Sequence, residues 1–301
     1  MIYKHRNKPQ ELTVFEILNK RIELSSKDKQ YYFKLKKGYA GELLFDSLTE
    51  KLQCDCLILN DLLLEVNNTT FQIDTLLLID GKIYIYEVKY FEGDYYYESN
   101  KFYKKPKHEV SNPFLQLDRS ESLLSQLLRN HGFHHPIDAS VVFNNPTFTL
   151  YQAPLNLRAI LPTQIHNHMR ALDETPSKIN EKQKRIANLL VSLHITKSPY
   201  SKIPIYHYEQ FRKGITCKIC DSFSLSIEGR KCKCQKCGYQ ELVETAVLRA
   251  VKEFQTLFPD QKITTNVIFD WCKVVQSKER IRYILSKNFT LVGVHQWSYF
   301  K

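Results

Sequence analysis

Asp74, Glu87 and Lys89 are charged residues set in the most apolar stretch of the chain. The segment FQIDTLLLIDGKIYIYEVKY places them among Ile, Leu and Tyr. Asp80-Gly81 near its middle is a favoured pair for a two-residue hairpin turn. In that register Ile79 pairs with Lys82, and Asp74 falls opposite Glu87. Directly opposed residues have Cβ atoms about 4.5–5.5 Å apart on one face. Lys89, two positions beyond Glu87, points to the same face. Opposed carboxylates repel and weaken a ladder unless a cation lies between them. A hard divalent ion such as Mg²⁺ (or Mn²⁺) takes oxygen ligands. With a lysine beside a metal-bound water, the set suits hydrolysis of phosphodiesters. An open hairpin end, with solvated Asp, Glu and Lys in a salt bridge, accounts for the same residues and stays open as the alternative.

Five of the eight cysteines crowd together. Cys217-Lys-Ile-Cys220 and Cys234-Gln-Lys-Cys237-Gly238 are two C-x-x-C knuckles. Together they can give tetrahedral Zn²⁺ four thiolates about 2.3 Å away. FSLSIEGRKCK between them supplies a short hairpin around Glu228-Gly229, as in a zinc ribbon. Cys232 competes with Cys234 for the fourth position, but Cys234 has the knuckle spacing. With every position filled by protein, the zinc would be structural.

The elements that must carry these residues are legible in part. GYAGELLFDSLTEKL reads as a helix, with Leu43, Leu44, Leu48 and Leu52 at spacings of three to four. LQLDRSESLLSQLLRNHG reads as a helix ended by Gly132, and residues 141–143 as a strand. Helix, hairpin, helix, strand implies an α/β core. Residues 162–212 are polar and Pro-punctuated (Pro162, Pro176, Pro199, Pro204), with one amphipathic helix, EKQKRIANLLVSLHI. ELVETAVLRAVKEFQTLF, TNVIFDWCKVV and KERIRYILSKN read as three further helices, the last two capped by Thr264 or Thr265 and by Ser277. FTLVGVHQWSYF alternates like strands turning near Gly293. Cys272, Trp271 and Trp297 are expected in the core, and His134, His135, His166 and His168 at the surface.

The ordered set Gly38-x-x-Gly41-Glu42, Gln72-Ile-Asp74, Glu87-Val-Lys89 and Asn112-Pro-x-x-Gln116 resembles the nuclease-related domain (NERD) family. That family is similar to the wider restriction-endonuclease-like superfamily. The resemblance covers roughly residues 36–150. It implies an α/β fold with a central mixed sheet and a metal-dependent nuclease site, with Asp74 and Glu87 as metal ligands and Lys89 at the attacking water. Glu42 would be a further acid reaching in from the first helix, and Gln116 a polar residue from the helix after the hairpin. The terminal helices and strands resemble a winged helix, which would present Lys278, Arg280, Arg282 and Lys287. The expected layout is a nuclease domain at 1–160, a helical linker at 161–212, a zinc ribbon at 213–240 and a winged-helix-like domain at 241–301.

Charge agrees with a polyanionic partner, nucleic acid and most simply DNA. The chain carries 43 Lys+Arg against 32 Asp+Glu, a net +11. Residues 197–240 hold nine basic residues against three acidic, more than half of that excess. The stretch YYYESNKFYKKPKHEV interleaves aromatics with Lys101, Lys104, Lys105 and Lys107. It suits either a base-stacking groove or a basic strand edge that blocks aggregation. With 43% hydrophobic residues the chain can build a core, which excludes general disorder. No apolar run approaches the roughly 18 residues of a membrane span, and no leader pattern opens the chain. A cytoplasmic, reducing setting is expected, where clustered cysteines mean metal more often than disulfides. Two non-catalytic readings remain: a nucleic-acid-binding or regulatory protein on a nuclease-like scaffold, and a protein-interaction scaffold.

Overall fold

The computed structural model describes residues 1–196, 200–294 and 297–301. Lys197, Pro199, His295 and Gln296 of the sequence reading lie outside the described residues. In chain order the elements are β1 (Ile2–Lys4), α1 (Gln10–Arg21), α2 (Ser26–Thr49), β2 (Leu57–Val66), β3 (Thr69–Ile79) and β4 (Lys82–Lys89). Then come β5 (Gly93–Glu98), β6 (Lys101–Lys104), β7 (His108–Val110), α3 (Pro113–Asn130), β8 (Ile137–Phe143), β9 (Phe148–Tyr151) and β10 (Ala159–Ile160). The chain ends with α4 (Ile165–Asp173), α5 (Glu181–Ser192), β11 (Leu225–Glu228), β12 (Lys231–Cys234), β13 (Gln240–Leu242), α6 (Val243–Leu257), α7 (Thr265–Cys272), α8 (Lys278–Asn288), β14 (Leu291–Val292) and β15 (Tyr299–Phe300).

These elements pack into two compact units, Met1–Lys8 with Phe33–Ser201, and Pro9–Tyr32 with Lys202–Lys301. This division differs from the layout expected from sequence at both ends of the first segment. Residues 161–201 join the first unit because α5 buries Ile186, Ala187 and Leu190 in its core. Pro9–Tyr32 joins the second because α1 buries Leu12, Val14, Phe15 and Leu18 and packs on α6.

The first unit is built on a six-stranded mixed sheet, in the order β1-β2-β3-β4-β8-β10. β2, β3 and β4 form an antiparallel meander, and β8 lies parallel to β4. Alternation sends Leu76, Leu78, Ile83 and Ile85 to a face covered by Leu117, Leu124 and Leu128 of α3 and by α5. Leu77, Ile79, Tyr86 and Val88 meet Phe45 of α2 and Ile165, Met169 and Leu172 of α4 on the other. Helices on both faces make this an α/β core, as expected. The β3–β4 turn has φ 44° at Asp80 and 73° at Gly81, the positive values that a two-residue hairpin loop demands. Five pairs follow in the expected register, from Ile79 opposite Lys82 to Thr75 opposite Tyr86.

The expectations for α2 and for the strand before the hairpin need correction. The helix α2 begins at Ser26, so Gly38 and Gly41 lie within it rather than at its start. Its buried side chains are Tyr32, Phe45, Asp46 and Thr49, whereas Leu43 and Leu44 are 44% and 40% exposed. The cause is Gly41, which backs directly onto Tyr90 and so chooses the face turned to the sheet. Finally, β2 precedes the hairpin and was not foreseen. Its near-continuous burial hides the period-two pattern that would mark a half-exposed strand.

The aromatic-basic stretch forms three strands of a second sheet, β7-β6-β5-β9. Tyr95, Phe102 and Phe148 are buried on its inner face, each in ring contact with Phe91; Phe102 and Phe148 also meet Phe143, and Phe102 meets Phe114.

In the second unit β11, β12 and β13 form a three-stranded antiparallel sheet, and β14 pairs with β15. The side chains of Thr264 and Ser277 cap α7 and α8. Trp271 and Cys272 are fully buried, but Trp297 is 77% exposed, against expectation. In the first unit His168 also departs from expectation: it is half-buried on α4, with Nε2 2.9 Å from the Tyr86 hydroxyl.

Candidate metal and catalytic site

Asp74 and Glu87 stand at the point where the β3–β4 ladder opens. The paired register stops one step earlier, at Thr75 and Tyr86. In place of a backbone bond, Asp74 Oδ2 accepts the Val88 N–H at 2.8 Å. Both carboxylates are buried, 7% and 3% exposed. Lys89 turns back to them, its Nζ donating to Glu87 Oε1 at 2.5 Å and to Gln116 Oε1 at 3.2 Å. Gln116 can reach because Asn112 caps α3, accepting the Phe114 N–H, with Pro113 at the first helical position. Four of the five residues singled out from sequence thus meet at one end of the central sheet.

Glu42, the fifth, comes from α2 and is held by an arginine that carried no sequence signal. Arg6 donates from Nη1 to Glu42 at 2.9 Å and forks onto Asp46 from Nε and Nη2 at 2.8 and 3.1 Å. Its Nη2 also donates to the backbone carbonyl of Asp74 at 2.7 Å. One guanidinium therefore ties two acids a helical turn apart to the residue that opens the ladder. The close approach of α2 is set by Gly41, where a Cβ would fall 2.4 Å from the Cβ of Tyr90. Asn144, at the end of β8, bridges the same junction: its Nδ2 donates to the Gly41 carbonyl at 2.6 Å, and its N–H to that of Lys89 at 3.2 Å. Asp46 could have been suspected from its i,i+4 spacing to Glu42. Arg6 and Asn144 are brought in by tertiary packing alone.

Burial raises the pKa of Asp74, a rise opposed by Lys89, Arg6 and the Val88 N–H. Burial, then repulsion from Asp74, lifts Glu87 to about 8, with Lys89 acting in opposition. Glu42 rises to about 7 for the same two reasons, against Arg6. Burial alone would lower the pKa of Lys89, but Glu87 and Asp74 outweigh it and hold the ammonium charged. Two mutually repelling buried carboxylates, with hard oxygen donors only, fit a divalent cation such as Mg²⁺. Glu42, Asp74 and Glu87 do not form a three-carboxylate cluster. An ion bound by Asp74 and Glu87 would need water or substrate oxygens to complete its shell, as is usual for Mg²⁺.

The second unit holds a different donor set. The Sγ atoms of Cys217, Cys220, Cys234 and Cys237 all lie within 4.8 Å of one another, the one such cluster of metal-capable side chains among the described residues. Cys217–Cys237 and Cys220–Cys234 are each 3.6 Å apart. A tetrahedron of 2.3 Å Zn–S bonds has edges of about 3.8 Å, so the arrangement is compatible with a zinc ribbon. The backbone N–H of Cys237, with that of Lys236, lowers the Cys234 thiol to about 6. Cys232 lies outside the cluster, buried on β12 opposite Ile227.

Several basic residues have partners, although Lys278 and Lys287 remain exposed. Lys213 pairs with Asp270, Lys278 lies over the Phe269 ring and Lys287 pairs with Glu244. Lys218, Arg230, Lys231, Lys236 and Arg282 are exposed. Among the described residues no helix is long and apolar enough to cross a membrane.

Residues 37–144, about a third of the chain, match the family model of the nuclease-related domain. No curated protein and no solved structure matches the chain.

Proposed function

We propose, taking the nuclease-related domain at residues 37–144 as premise, that the protein is a metal-dependent nuclease hydrolysing phosphodiester bonds in DNA. The observation that carries this reading is the pair of buried carboxylates, Asp74 and Glu87, at the open end of the β3–β4 ladder with the Lys89 ammonium on Glu87. Asp74 and Glu87 would hold Mg²⁺ or Mn²⁺. The bound ion would supply Lewis-acid polarisation of the phosphate and a water of lowered pKa.

The chain's own groups do the rest. Lys89, kept charged by its two carboxylate neighbours, donates hydrogen bonds that orient the attacking water and offset charge growing on the phosphate oxygens. Gln116 accepts from Lys89 Nζ and so aims it. Glu42, held by Arg6, adds a further acid beside the pair. The four-cysteine cluster binds structural Zn²⁺ as a ribbon, in a reducing, cytoplasmic setting. With the exposed Lys218, Arg230, Lys231 and Lys236, and with the winged-helix-like α6–α8 and β14–β15 presenting Arg282, it holds the polyanion.

Cleavage of single- and double-stranded DNA and RNA, with Mg²⁺ or Mn²⁺, tests the proposal. Lys89→Ala should lower the rate by about 10²–10³-fold without loss of fold. Absence of metal-dependent cleavage of every substrate would refute it, as would a Lys89→Ala protein that cleaves like the wild type.

A further inference from the structure

The second sheet has an outer face whose chemistry the nuclease site does not use. Register places Tyr151 of β9 beside Tyr96 of β5, and Tyr96 beside Tyr103 of β6. Three tyrosines on three adjacent strands thus form one row across the sheet, opposite the buried Tyr95, Phe102 and Phe148. The Tyr96 and Tyr103 rings are stacked, 5.0 Å apart at 13°. Tyr151 is 43% exposed, with Lys105 Nζ 4.2 Å from its ring centre. Tyr96 and Tyr103 are half-buried, and Lys101, Lys104, Lys105 and Lys107 are all exposed.

We infer that this row is a stacking platform for the bases of an unpaired nucleic-acid segment. The inference rests on the reading that the substrate is nucleic acid, and it adds which form of the polymer the protein grips. A row of rings is a poor match for water alone and a good one for flat π-systems. Bases offer their faces only when unpaired, because in a duplex they are stacked on one another. The charges around the row are mixed. Lys101 pairs with Glu109 at 3.0 Å and Lys105 with Asp94 at 4.0 Å, and Glu98 lies beside Lys101. Such a face recognises bases by stacking more than phosphates by charge, so its contribution should change little with salt.

The platform is also continuous with the proposed catalytic strands. β4, bearing Glu87 and Lys89, runs on into β5 after Tyr90–Glu92, and β8 into β9 after Asn144–Thr147. The parallel pairing of β4 with β8 continues as that of β5 with β9.

The test uses the full chain carrying Lys89→Ala, so that bound strands stay intact, with a fluorescent unstructured 20-nucleotide DNA and its duplex as probes. Tyr96→Leu, Tyr103→Leu and Tyr151→Leu together keep apolar bulk but remove the rings; the three Tyr→Phe changes keep the rings. The leucine set should weaken single-strand binding by about fivefold or more per ring lost, leave duplex binding unchanged and lose a similar factor at low and high salt. The phenylalanine set should bind as the parent. Equal single-strand affinity in the leucine set would overturn the inference, as would equal losses in both sets or for both probes, or no single-strand binding by the parent. Tyr151→Leu alone, at an exposed position, serves if the triple variant does not fold, and should lose about fivefold on the same probe; an unchanged affinity there overturns the inference too. Metal-dependent cleavage by the protein with Lys89 intact is scored separately. A silent platform beside an active nuclease, or the reverse, is therefore distinguishable.

Discussion

Replacing Arg6 with alanine should be the most damaging single change near the proposed site, although Arg6 touches no reacting atom. Its side chain is 2% exposed, and it serves Asp46, 7% exposed, through a two-bond fork, as well as Glu42 and the Asp74 carbonyl. Removing one partner of a buried ion pair costs about 3–5 kcal/mol, because the other charge is stranded in a poorly solvated place. In a folded unit of 150–250 residues each kcal/mol shifts Tm by about 2–4 °C. Arg6→Ala should therefore lower the transition of the first unit by about 6–20 °C. Calorimetry would measure this, with hydrogen exchange of the β3 and β4 amides assigning the transition. Carboxylates left without a cation can shed their cost by taking up protons. The folded variant then binds more protons than the unfolded chain, so its deficit should shrink as pH falls. Arg6→Lys should be intermediate, since a single ammonium cannot reproduce the planar fork. A shift below about 2 °C for Arg6→Ala would show that the cluster is solvated or already broken, and the argument would fail.

Other outcomes follow from the same geometry. The protein should carry one zinc per chain by elemental analysis; Cys234→Ser should lower that value, whereas Cys232→Ser should leave it unchanged. Glu42 and Glu87, with pKa values of about 7 and 8, hold protons that an unfolded chain would release near pH 4.3. Their contribution to stability therefore falls as pH rises toward 8, and a divalent ion must displace those protons. The thermal stabilisation given by Mn²⁺ should be larger at pH 8.5 than at pH 6, and equal shifts would contradict the site. Gly41→Ala should force α2 away from Tyr90 and cost about 1–3 kcal/mol, while Gly38→Ala, with nothing within 4 Å of its Cβ, should be neutral or slightly stabilising. Urea unfolding of the two variants makes that comparison.

What the amino-acid sequence determined by itself is local. Asp80-Gly81 chose a two-residue turn, and the turn set the register that brings Asp74 and Glu87 to the same end of the hairpin, because side-chain alternation leaves no other phase. The two knuckles likewise brought the four sulfurs within reach, since their spacing is the ligand geometry. Tertiary structure decided what approaches from far along the chain. Leu43 and Leu44 looked like a core stripe, but the face of α2 turned to the sheet was chosen by Gly41 against Tyr90. The cation that balances Glu42 is Arg6, 36 residues away, and the residue joining α2 to β8 is Asn144, 103 residues from Gly41. Periodicity reports only what neighbours along the chain share. A buried ion pair or a backbone contact between distant elements depends on which surfaces meet, and that is settled when the sheet and its helices pack.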